Sequence, residues 1–176
     1  MSHNVLVSIF CPDRTGLIAD ITGALFDLGA NLGDANFAVL GGGAEFTAVC
    51  EIPDSLTGDN LTAALERVPD VANGKLSISP FTLEPLHGET GRITHRVTVS
   101  GGDRPGLIAR LSEAFVEFDA NVVRLSSEKT PDGNYNVRFS VWIPRTRAAA
   151  CLATIANTAE NMQLSCHVEG MLNQPA

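Results

Sequence analysis

One seven-residue string occurs twice in this chain with a single difference, and no other feature limits the fold so tightly. Asp13-Arg14-Thr15-Gly16-Leu17-Ile18-Ala19 returns ninety positions later as Asp103-Arg104-Pro105-Gly106-Leu107-Ile108-Ala109. The match continues through Ala24/Ala114, Ala30/Ala120 and Asn31/Asn121, with nine of nineteen positions identical over 13–31 against 103–121. Ile52-Pro53 then returns as Ile143-Pro144, one residue out of step. The sequence is therefore two copies of one unit, with one residue inserted in between.

Each copy spells the same elements. Val5, Val7 and Ile9 alternate with Leu6, Ser8 and Phe10, which predicts a strand with one buried face. Arg96 to Val99 repeats it. Leu17, Ile18, Ile21, Leu25 and Leu28 share helical spacing, as do Leu107, Ile108, Leu111, Phe115 and Phe118. Asn31 and Asn121 open a second strand after Gly29-Ala30 and Asp119-Ala120. A hairpin follows in each copy, through Gly41-Gly42-Gly43 and through Thr130-Pro131-Asp132-Gly133. The extra residue is expected there. A second helix is predicted over 58–68 and 146–160, and a last strand over 75–83 and 162–171. The string β-α-β-β-α-β predicts an α+β chain of two ferredoxin-like units, each a four-stranded antiparallel sheet with two helices on one face. The expected boundaries are 1–84 for the first domain, 85–91 for a Pro- and Gly-containing linker, and 92–172 for the second.

Charge separates the copies. Residues 1–84 hold 11 acids and 3 bases, whereas residues 92–176 hold 8 acids and 9 bases. The whole chain is at −8, which argues against direct nucleic-acid binding. No apolar run approaches the ~20 residues a membrane helix needs, and no secretory signal is visible, so a cytoplasmic protein is expected. Cys11, Cys50, Cys151 and Cys166 form no Cys-x-x-Cys pair and read as reduced thiols. The four histidines have no metal-ligand spacing, so neither a metal nor a cofactor is expected. A phosphate-cradling enzyme loop on this fold would meet a repelling carboxylate at Asp13 and Asp103. No catalytic residues are assigned, and no enzyme activity is expected.

The repeated turn carries the site candidates. Asp13 and Asp103 precede a helix, where a carboxylate can cap backbone N–H groups. Gly16 and Gly106 are poor helix formers, which implies a close approach by a ligand or a packed neighbour. Arg14 and Arg104 read either as solvated charges or as contacts to a ligand carboxylate. Asn31 and Asn121 either tolerate a turn or offer an amide to a ligand. Pro105 lacks the N–H that Thr15 keeps, so the first turn is expected to bind better than the second. Arg124 and Arg138 are expected to face each other across a hairpin, as scattered charge or as a patch for an acidic partner.

The Asp-Arg-x-Gly-Leu-Ile-Ala turn and the Ala-Asn start of the second strand resemble the ACT domain. A pair of such domains resembles the glycine cleavage system transcriptional repressor family. The resemblance implies a ligand at the turn, between paired domains, with Asp13, Arg14, Thr15, Gly16, Leu17 and Asn31 in the first copy, and Asp103, Arg104, Gly106, Leu107 and Asn121 in the second. It implies a small amino acid as ligand, glycine or serine first, a homodimer, and a protein partner such as a transcription activator. A ligand-independent interaction module, or an in-trans regulatory subunit of an amino-acid or one-carbon enzyme, is the alternative.

Overall fold

The computed structural model describes residues 1–171, so the expected domain end at residue 172 lies outside the described residues. The chain divides into two compact units, Met1–Pro85 and Leu86–Ala176. In the first, β1 (Ser2–Pro12), α1 (Leu17–Asp27), β2 (Asn31–Leu40), β3 (Gly43–Pro53), α2 (Gly58–Leu65), α3 (Pro69–Ala72) and β4 (Lys75–Pro80) follow in order. In the second, a short 3-10 turn (Glu89–Gly91) precedes β5 (His95–Gly102), α4 (Leu107–Glu117), β6 (Asn121–Lys129), β7 (Asn134–Trp142), α5 (Ala148–Asn161) and β8 (Ser165–Gly170). The sheet orders are β2-β3-β1-β4 and β6-β7-β5-β8, antiparallel throughout. Both units are ferredoxin-like.

Alternation builds the two cores. Val5, Val7, Ile9 and Cys11 turn one face of β1 inward, and Ala44, Phe46, Ala48, Cys50 and Ile52 do the same from β3. Leu17, Ile21 and Leu25 of α1 cover that face, with Leu61 and Leu65 of α2. The second core repeats the plan with Val97, Val99, Val137, Phe139 and Val141 under Leu107, Leu111, Phe115, Cys151 and Ile155. Ile18, placed on the buried stripe by spacing, is 37% exposed.

The helix expected over 58–68 is α2, which ends at Leu65, and a short α3 that was not expected follows it. Pro69 has no N–H to give and forces Val68 into an extended conformation (ψ 114°), so α2 ends and α3 starts again. α5 has no internal proline and runs unbroken. The last strands are shorter than expected: the β4 ladder starts at Lys75 as expected but ends at Val5↔Pro80, and β8 begins only at Ser165, after the chain turns at Gln163-Leu164. The inserted residue lies in the hairpin. Gly41-Gly42 closes the first with two residues, Gly41 at φ 62°. The second needs Pro131-Asp132-Gly133, with Gly133 at φ 83° and its N–H on Thr130 O.

The copies also exchange volume at one point. Gly74 lies against Cys11, and at the corresponding positions Leu164 lies against Gly101. A Cβ on Gly101 would sit 2.5 Å from Leu164 Cδ2. One large and one small residue fill the space in both copies, in opposite order.

Candidate functional site

The repeated turn leaves β1 at Pro12 and enters α1 at Leu17. Gly16 is the N-cap at φ 86°, and Gly106 the N-cap of α4 at φ 81°. A Cβ at Gly16 would meet only Arg14 Nη1 at 3.6 Å, and one at Gly106 nothing within 4 Å. No packed neighbour within either unit therefore requires a glycine here. The glycines are needed because the chain enters the helix in the left-handed region, which L side chains avoid. Gly16→Ala is expected to lower stability by about 1 kcal/mol, read from the urea midpoint at unchanged slope.

The aspartates do not cap. Neither helix has a side-chain cap, since the N-cap position belongs to glycine, three residues after the carboxylate. Asp13 instead ties the turn to the hairpin through its backbone, its N–H donating to Gly42 O at 3.1 Å. Asp103 Oδ2 holds Lys129 Nζ at 2.7 Å. Arg14 is not a loose surface charge. Its Nε donates to Asp70 Oδ2 at 2.5 Å, its Nη2 to Asp20 Oδ2 at 2.6 Å and its Nη1 to Thr15 O at 3.2 Å. The two carboxylates hold the guanidinium charged and raise its pKa. Among the described residues Arg104 bonds Gln163 Oε1, at 2.9 Å, and Arg110 stands where the first copy has Asp20.

Both turns offer helix amides. Leu17 N–H is taken by Arg14 O, and the next backbone bond is Asp20 N–H on Gly16 O; Leu107 and Arg110 repeat the pattern. The side chains of Leu17 and Leu107 are core, 1% and 2% exposed, so at these positions only backbone faces the turn. Charge distinguishes the two. Asp13, Asp20 and Asp70 outweigh Arg14 at the first. Arg104, Arg110 and Lys129 outweigh Asp103 at the second. A cleft of about 280 Å³ there is lined by Arg104, Pro105, Arg110, Asn161, Met162 and Gln163. Beside the first turn lies a cleft of about 620 Å³ between Phe10, Leu40, Asn73 and Lys75, floored by Gly43 and Gly74. Sequence reasoning missed both, because their walls come from segments far apart in the chain.

The asparagines lie elsewhere. Asn31 pairs with Glu51, which pairs with Asn4, whereas the turn follows Pro12, opposite Gly43. Eight residues of β1 separate these two rows, roughly 26 Å. Within one unit the turn and Asn31 cannot touch one small ligand. Asn121 is spaced from its turn in the same way, and its Nδ2 donates to Thr90 O at 2.9 Å.

Burial pushes the Cys50 and Cys151 thiols up to about 11. It also raises Cys11, with Asp70 adding to the effect, so the thiol nearest the first turn is not a thiolate at neutral pH. His95 is half-buried, its Nδ1 2.9 Å from Thr94 Oγ1, and burial lowers its pKa. Among the described residues no cluster of three or more His, Cys, Asp or Glu can hold a metal, and no helix is long and apolar enough to cross a membrane.

Fold and turn together define a tandem of ferredoxin-like modules. Residues 5–70 match the ACT domain model, and the second unit repeats the turn and the sheet order of the first. It is 29% identical over 136 residues to the bifunctional uridylyltransferase/uridylyl-removing enzyme of Bradyrhizobium diazoefficiens, and 24% over 138 residues to that of Stutzerimonas stutzeri. Each match takes 66% of this chain, which spans only 15% of the length of those relatives. A protein of unknown function from Galdieria sulphuraria shares the fold, with TM-score 0.74, 19% identity, and coverage of 98% of this chain and 100% of that one. So does a protein assigned provisionally as a glycine cleavage system transcriptional repressor, with TM-score 0.67, 12% identity, and coverage of 98% and 99%.

Proposed function

We propose that this chain is a non-catalytic regulatory protein that senses a small amino acid and reports through a protein partner. The observation that carries the reading is the ACT-domain turn itself, built twice. Each copy points helix amides outward beside charged side chains, an arrangement suited to a zwitterion's carboxylate. A ligand acts by favouring one arrangement of the protein over another. The provisional name of one fold neighbour makes glycine the first compound to test, with serine, its nearest larger analogue, next; the partner to test first is a transcription regulator.

A complete site needs a second module. The separation of turn and Asn31 within one unit means both can serve one ligand only if they come from different modules. The exposed edge supplies a surface for a second copy. Leu32, Phe37 and Val39 of β2 are 36%, 38% and 54% exposed, with Phe26 of α1 at 77%. A homodimer would cover this apolar flank.

Thr15 favours the first turn, because it keeps a donor that Pro105 lacks. Charge favours the second, because Arg104 and Arg110 attract a carboxylate and Asp13, Asp20 and Asp70 repel it. Thermal unfolding against the twenty amino acids separates these readings. One of them at a hundred times its Kd should add about 2.7 kcal/mol, a rise of roughly 10 °C in Tm. Loss of the response in Arg110→Ser would place it at the second turn, and loss in Thr15→Pro at the first. No response to any amino acid would leave the ligand-independent interaction module.

A further inference from the structure

We propose that the open face of the second module's sheet docks an acidic segment of a partner protein. The register across β6-β7-β5-β8 assembles this face. One row reads Arg124, Ser140, Arg96, Glu169, and the next reads Ser126, Arg138, Thr98, His167. A bulge between Val122 and Arg124 sets Arg124 on this face, diagonal to Arg138 rather than opposite it as the hairpin alone suggested. Arg96 and Arg124 flank Ser140 at two strand spacings, about 10 Å apart. Arg138 lies one row away between them. Each of the three is exposed.

Arg138 Nη2 holds Glu128 Oε1 at 2.9 Å, and His167 Nε2 lies 3.4 Å from Glu169 Oε1. Among the described residues Arg96 and Arg124 have no ion-pair partner. The first module is an internal control. Its matching positions are Leu6, Asp34, Thr47 and Ser77, where the second has Arg96, Arg124, Arg138 and His167. The same sheet forms without any of these side chains, so folding does not require them. What they supply is a cationic surface on an otherwise acidic chain.

The chemistry favours an acidic protein segment over nucleic acid. Thr98, Arg138 and Ser140 occupy the centre of the face, where a single-strand binder places aromatic rings for bases to stack on. The cations cover a short triangle rather than a track along a phosphate backbone. An extended segment with acids two or three residues apart spans it. This deepens the partner-contact half of the proposed function and does not need the amino-acid half.

The test uses the full chain and a fluorescein-labelled peptide of alternating Glu and Ser, read by anisotropy at low and high salt. The triple variant R96S/R124S/R138S should lose about tenfold or more in affinity. The variant R67S/R92S/R145S removes the same charge from other exposed positions and should change affinity by less than about threefold. The single variant R124S should fall between wild type and the triple variant, and unchanged Trp142 emission verifies the fold. Equal loss in both triple variants, no binding by wild type, or tighter binding of a single-stranded oligonucleotide through the same arginines would each overturn the proposal. Amino-acid thermal shifts on the same variants test the sensing separately, so either half can fail alone.

Discussion

Phe115→Ala should unfold the second module at a urea concentration lower by about 2 M or more, with the first module's transition unmoved. Phe115 is 0% exposed, and its ring lies 5.4 Å from that of Phe139 at a tilt of 56°. It ties α4 to the centre of β7, so truncation removes a ring from both layers of the core. Such a cavity costs about 3–5 kcal/mol, from a module whose whole stability is on the order of 5–10 kcal/mol. Two spectroscopic signals separate the units. The one tryptophan is Trp142, on β7, and reports the second module alone. Far-UV circular dichroism reports both. The first core, built on Val7, Ile21, Phe46 and Leu61, shares no residue with the second. A tryptophan transition that stays put, or a first-module transition that moves by the same amount, would refute the separate cores.

Gly74→Ala is expected to cost the first module about 1–3 kcal/mol or more, from a single methyl group. The new Cβ would lie 2.5 Å from the Phe10 carbonyl oxygen, 2.7 Å from Cys11 Cβ and 3.0 Å from Cys11 Cα. These are largely backbone atoms of β1, next to the Phe10↔Lys75 pair that starts the β4 ladder. They cannot yield without opening that pairing. Gly23→Ala is the matched control. Gly23 lies inside α1, nothing stands within 4 Å of its would-be Cβ, and its φ is not positive. Alanine there should raise stability by about 1 kcal/mol through helix propensity. Urea titrations of the two variants should therefore move in opposite directions. A Gly74→Ala midpoint at or above wild type would refute the packing account.

Much of the fold was legible because periodicity is local. Alternation in β1 and helical spacing in α1 and α4 name the buried faces directly, and the offset of one residue locates the hairpin insertion. What failed did so for equally local reasons. Pro69 holds Val68 extended, so the second helix stops short of its expected end and a separate short helix starts after it. The left-handed conformation of Gly16 was not legible, because spacing cannot report the sign of φ. Asp13 was given a cap that the chain hands to Gly16 three residues later.

The candidate site was legible only in part. The sequence by itself determined that one turn is built twice, that each copy has its own core and fold, and that the copies differ in charge. These follow from repeats, spacing and composition, which are properties of the chain read in order. Only the tertiary structure decided which groups meet. It spends Arg14 on Asp20 and Asp70, separates Asn31 from the turn by the length of β1, and gathers Arg96, Arg124 and Arg138 onto one face. Those outcomes depend on register and on contacts between residues distant in the sequence, and no local signal encodes them.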